Sequence, residues 1–152
     1  AYTRPPRTGE QESDIFLYSM DDGRDVPLIE HDAADSVIDW SPDGDWLLFT
    51  SDRSGTEDIW AIRTASGKAH GDPKIVKRDV PRMYPMGFAR NGSLYYGVPH
   101  RMGIDIHIAR LDPRTGKVVA DPEKLSHRYE GGTSWPSYSH DGRNIAYVST
   151  QR

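Results

Sequence analysis

The residues best suited to chemistry recur in a fixed pattern. Arg7, Arg53 and Arg101 each open an Arg-x-Gly triplet, and each triplet is followed by an Asp-Ile pair, at Asp14, Asp58 and Asp105. Three guanidinium groups arrayed around an axis could hold an anion. Their repetition favours a structural role, because guanidinium and carboxylate match as a planar fork. Each arginine is therefore expected to brace its own loop by pairing with the aspartate after it: Arg7 with Asp14, Arg53 with Asp58 and Arg101 with Asp105. Asp52, Glu57 and Asp58 cluster near Gly55 and offer the oxygen ligands that calcium takes. They lack the spacing of a dedicated calcium loop and read as solvated turn residues.

Other chemistry finds little support. None of the histidines (His31, His70, His100, His107, His127 and His140) forms a His-x-x-x-His or Glu-x-x-His pair. There is no cysteine, which removes thiolate metal sites and disulfides together. Neither a Gly-x-Ser-x-Gly elbow nor a Gly-x-x-x-x-Gly-Lys phosphate loop is present. No catalytic residue, metal site or cofactor is assigned. A net charge of -4 and a pI near 5.8 oppose a nucleic-acid or anionic-membrane partner. No apolar run approaches the roughly 18 residues of a membrane span.

The elements that must position these residues are short strands. The 11 prolines and 14 glycines are spread along the chain and punctuate it into many small pieces. A turn tetrad recurs as Ser41-Pro42-Asp43-Gly44, Ala89-Arg90-Asn91-Gly92 and Ser139-His140-Asp141-Gly142, its glycines 48 and 50 residues apart. Asp-Gly and Asn-Gly are hairpin dipeptides, since both central residues can take positive φ. An aromatic, Trp40, Phe88 or Tyr138, stands four positions before each glycine, and a strand-like run follows it: Trp46–Phe49, Ser93–Tyr96 and Asn144–Val148. The Arg-x-Gly marker comes next, and Arg152 begins a further copy. The Asp-Ile pair opens a third strand, which ends in a turn at Asp22-Gly23, Ser66-Gly67 or Thr115-Gly116. A weaker fourth strand closes each unit around Val26–Glu30, Lys74–Lys77 and Val118–Leu125.

Four antiparallel strands at a period near 48 are the sequence form of a β-propeller blade. The expected organisation is a partial blade over 1–31, blades over 32–80 and 81–130, and a partial blade over 131–152. Ala1-Tyr2-Thr3 and Ala146-Tyr147-Val148 fall at the same place in the repeat. About three blades cannot close a ring, so a longer protein of six or seven blades is expected. The alternative is an end-to-end homodimer closing six.

Trp40-Ser41-Pro42-Asp43-Gly44, continuing through Phe49–Gly55 to Asp58-Ile59-Trp60, resembles the WD-like repeat of TolB-type propellers. It also resembles repeats in the propellers of tricorn and prolyl oligopeptidase-type proteases. The middle tetrad lacks both serine and proline, and the third has His140 in place of proline. The resemblance implies an all-β propeller acting as a non-catalytic, periplasmic scaffold for cell-envelope protein partners. Two other functions stay open: a propeller gating access to a serine peptidase, and a carbohydrate-acting propeller, which would need a histidine-rich metal site.

In such a propeller the segments ahead of each first strand share one face with the loops between second and third strands. Asp35 and Ser36, then Arg82, Met83 and Tyr84, then Ser134 and Trp135 occupy those segments, and His100 and Arg101 occupy one such loop. They differ between repeats while the frame around them does not, as specific contacts require. They are the candidate binding residues. His107, at the Trp60 position of its strand, is expected to pack.

Overall fold

The computed structural model describes residues 1–5, 12–89, 91–100, 103–112, 117–125, 132–139, 141 and 143–149. Every regular element among them is a strand. The chain forms two compact units, Ala1–Val80 and Pro81–Arg152. Arg7 and Arg101 lie outside the described residues, as does the turn at Thr115-Gly116.

The first unit holds two sheets. The smaller is a meander of β1 (Tyr2–Arg4), β2 (Asp14–Tyr18) and β3 (Asp25–Ile29). The larger runs β4 (Ser36–Trp40), β5 (Trp46–Ser51), β6 (Asp58–Ala65), β7 (Lys68–Ala69), with β8 (Lys74–Lys77) also paired to β6. All these pairs are antiparallel, as the repeated hairpin signals require. Strand β7 has no counterpart in the sequence reading. It forms because Ser66 and Gly67 take φ of 52° and 70°, a primed two-residue turn that folds β6 back on itself.

The two sheets pack face to face. Ile15, Leu17, Leu28 and Ile29 of one are buried against Leu47, Phe49 and Ile62 of the other, with Val37, Trp40 and Trp60 at the margin. Each fully buried aliphatic or aromatic side chain contributes about 1.5–3 kcal/mol. The isoleucine of the Asp-Ile pair is buried in every copy, at Ile15, Ile59 and Ile106.

The second unit repeats the design with β9 (Tyr84–Phe88), β10 (Ser93–His100), β11 (Gly103–Arg110) and β12 (Glu123–Lys124) in one sheet. Strands β13 (Thr133–Tyr138) and β14 (Ile145–Ser149) pair in another. The fourth strand expected around Val118–Leu125 is reduced to β12 and an isolated bridge between Leu111 and Val118. Ala89, Tyr95 and Ile106 form the buried centre, flanked by Met86, Ile108, Leu125, Ile145 and Tyr147.

The tetrad turns differ from the expected primed hairpin. Gly44 has φ 77° and donates its N–H to Ser41 O at 2.8 Å, while Asp43 does not have positive φ. This is a turn with Pro42 in the position that fixed φ favours and a left-handed glycine behind it. Ser41 Oγ accepts the Trp46 N–H at 3.0 Å and donates to Asp43 Oδ1 at 2.5 Å. Ser139 does the same with Asn144 and Asp141. In the middle repeat the loop is one residue shorter, since Ala89 N–H bonds Ser93 O where Ser41 N–H bonds Trp46 O. There Asn91 Oδ1 takes the Ser93 N–H at 3.0 Å, so a side chain still serves the strand that follows.

Candidate functional site

Three repeat positions, eight to six residues before each tetrad glycine, read Ser36-Val37-Ile38, Tyr84-Pro85-Met86 and Ser134-Trp135-Pro136. In every copy the first strand bulges at this place. The register breaks between Val37 and Asp39, opposite Tyr95 and Tyr96, and between Ser134 and Ser137. A bulge inserts one residue, increases the local twist and re-aims the side chains around it. The second unit uses two of these bulges together. Tyr84, Pro85 and Met86 of β9, Ser134, Trp135 and Pro136 of β13, and Ile104 of β11 line one open groove of about 510 Å³.

Glycines set the groove's depth. A Cβ on Gly97 would lie 2.4 Å from Ile104 Cγ2 and 2.8 Å from Met86 Cε, so only glycine lets those side chains settle onto β10. Gly103 and Gly132 bring two backbones together: a Cβ on Gly103 would sit 2.9 Å from Gly132 Cα. Thr133 completes the joint, its Oγ1 accepting the Ile106 N–H at 3.1 Å and donating to Ile104 O at 3.5 Å. Ser134 and Trp135 are thereby held beside Ile104.

The rim is aromatic and open. Trp135 is 80% exposed and Tyr84 43%. Trp135 also has φ 55°, a left-handed conformation rare for a bulky side chain. Such outliers cost on the order of 1–3 kcal/mol and persist where the surroundings enforce them. Here the strained residue carries an exposed indole.

The remaining candidates divide. Ser36 and Arg82 are exposed. Met83 is buried, at 8% exposure, and is not available to a ligand. Asp35 is wholly buried and its carboxylate takes Arg53 Nη2 at 2.9 and 2.8 Å. Asp35 is therefore structural, and Arg53 does not pair with Asp58 as expected. Asp58 pairs with Ser51 across β5 and β6, and Asp35 directly precedes Ser36, which pairs with Thr50. Asp58 is already filled by Ser54 Oγ, Thr56 Oγ1 and the Asp79 N–H, with Arg78 nearby at 3.6 Å. Burial pushes the Asp58 carboxyl up. The hydrogen bonds from Ser54, Asp79 and Thr56 and the charge of Arg78 outweigh it and hold the group below the usual carboxylate range. Arg53 turns the other way, steadied by Ser51 Oγ on its Nε at 2.9 Å and by the rings of Phe49 and Trp60, each 5.2 Å from its guanidinium.

Among the described residues the repeated aspartate takes other partners. Asp14 accepts the His31 N–H and Asp58 the Asp79 N–H, in both cases two residues past the fourth strand. It ties the chain leaving each sheet to the start of the third strand. Asp105 instead meets Lys124 Nζ at 2.8 Å and His100 Nε2 at 3.5 Å, which places His100 at the β10–β11 hairpin rather than in the groove. His107 packs as expected, its ring 5.6 Å from that of Tyr96, whose hydroxyl is pushed above its ordinary pKa by burial. Among the described residues no group of three or more His, Asp or Glu could hold a metal ion.

Comparison with known proteins places this architecture. No family model matches the chain. An uncharacterized protein of Agrobacterium fabrum is 26% identical over 147 residues, covering 91% of this chain and 48% of its own length. The crystal structure of TolB from Acinetobacter baumannii superposes with a TM-score of 0.65 at 15% identity over 98% of this chain and 35% of that one. A protein of Agrobacterium tumefaciens provisionally assigned as TolB gives 0.54 at 22% identity over 76% of this chain and 42% of its own. The chain has the TolB-like β-propeller fold and spans about half the length of the Agrobacterium fabrum relative.

Proposed function

We propose that this chain is part of a non-catalytic protein-binding platform of the cell envelope, and that its partner engages the groove rimmed by Tyr84 and Trp135. The observation that carries the reading is Trp135, an exposed indole on a left-handed backbone beside an apolar floor. Tryptophan and tyrosine beside a pocket are the residue types that dominate protein interfaces. A rigid sheet frame with a side-chain-lined groove and no cluster of reactive groups among its described residues suits recognition better than catalysis. The likeness to TolB structures supports the fold, and the periplasmic location belongs to the same proposal.

The test is capture from envelope extract, with Trp135→Ala and Tyr84→Ala as probes and Val119→Ala, at an exposed site outside the groove, as control. Loss of the same protein from both groove variants but not from the control is expected. Retention of every partner by both groove variants would place binding elsewhere.

A further inference from the structure

Resting on the reading of the groove as a protein-binding site, we propose that its occupant is an extended, proline-containing segment in the polyproline II conformation, with a carboxylate beside Arg82. The groove offers a partner two edge strands, since β9 ends its sheet and β13 pairs only with β14 among the described residues. An edge strand ordinarily invites a partner to add a strand of its own. Both edges are blocked against it. Pro85 stands in β9 and Pro136 in β13, each lacking the N–H that a ladder needs, and each strand is broken there by its bulge. Recognition must then pass through side chains.

The lining supplies what such recognition needs. Tyr84, Trp135 and two prolines present flat, rigid surfaces over the apolar floor of Met86 and Ile104. Aromatic-lined grooves of this kind take polyproline II segments, whose backbone needs no partner ladder and is already ordered before binding. The volume of about 510 Å³ fits a few residues. Charge adds direction. Arg82 lies two residues before Tyr84 on an exposed bend and makes no ion pair among the described residues. A guanidinium two residues from the lining residue Tyr84 selects a carboxylate on an occupant that extends past the groove.

Calorimetric titration of the full chain with three synthetic peptides tests this. The first is acetyl-Glu-Pro-Pro-Leu-Pro-Pro-amide, the second replaces its glutamate by lysine, and the third is the strand-former acetyl-Glu-Thr-Val-Thr-Val-Thr-amide. The first is expected to bind, the second about fivefold more weakly, and the third at least tenfold more weakly. Trp135→Ala is expected to weaken the first at least tenfold. Arg82→Glu, at an exposed position that leaves the fold intact, is expected to reverse the order of the first two. No binding of the proline peptides, equal binding of the strand-former, or an unchanged charge preference in Arg82→Glu would each overturn the inference. Loss of the envelope partner from Trp135→Ala and Tyr84→Ala, with no peptide bound, would leave the platform standing and remove only the polyproline occupant.

Discussion

Replacing Arg53 by methionine tests the brace that organises the first unit. Arg53 is 11% exposed at its side chain and Asp35 not at all, so the substitution strands a carboxylate in the interior. Breaking a buried pair from one side costs about 3–5 kcal/mol. Loss of the guanidinium's contacts with the rings of Phe49 and Trp60 adds on the order of 0.5–1 kcal/mol. In urea, with a slope of about 1–3 kcal/mol per molar, the unfolding midpoint should fall by roughly 1 M or more with the slope unchanged. Asp35→Asn combined with Arg53→Met removes the stranded charge and should recover at least about 1 kcal/mol of the loss. The matching cycle with Asp58→Asn should show coupling below about 0.5 kcal/mol, because Arg53 does not touch Asp58. Strong coupling to Asp58, or simple additivity with Asp35, would refute the pairing.

Three further outcomes follow from the same geometry. Because the Asp58 carboxyl is held below its unfolded value, its contribution to stability is present above about pH 4 and is lost as pH falls through the folded-state pKa. Asp58→Asn should therefore lower stability at pH 7 while flattening the acid side of the stability–pH curve measured by chemical denaturation. Gly97→Ala drives a methyl into Ile104 Cγ2 and Met86 Cε and should destabilise by about 1–3 kcal/mol, and in thermal melts the double variant with Ile104→Ala, which removes that γ carbon, should lose less than the sum of the two single losses. Ser41→Ala leaves the Trp46 N–H without its acceptor and should cost about 1 kcal/mol in denaturant titration.

The blade pattern was legible because turn glycines and buried isoleucines are local signals that repeat. Gly44 and Gly92 mark hairpins, and Ile15, Ile59 and Ile106 mark one buried strand position, without knowledge of anything distant. Tyr84, Ser134 and Trp135 were legible as binding candidates because they vary within that frame. The partner of Arg53 was not. Asp35 stands just ahead of β4 and Asp58 opens β6, and the choice between them depends on how the hydroxyls of Ser54 and Thr56 are already committed. Strand periodicity hides bulges too, since one extra residue in β4, β9 or β13 alters no composition. Gly97 and the Gly103–Gly132 approach could have been suspected as glycines inside or beside strands, which often mark close contacts.

The claim that the Tyr84–Trp135 groove is where a partner docks is tested most directly by photo-cross-linking in envelope preparations. A benzophenone side chain is placed at position 135 or, for comparison, at position 20, where Met20 is 88% exposed in the other unit. A discrete protein adduct from position 135, suppressed by excess unlabelled chain and lacking from position 20, is the expected result. Adducts of equal yield from both positions, or from position 20 alone, would contradict it.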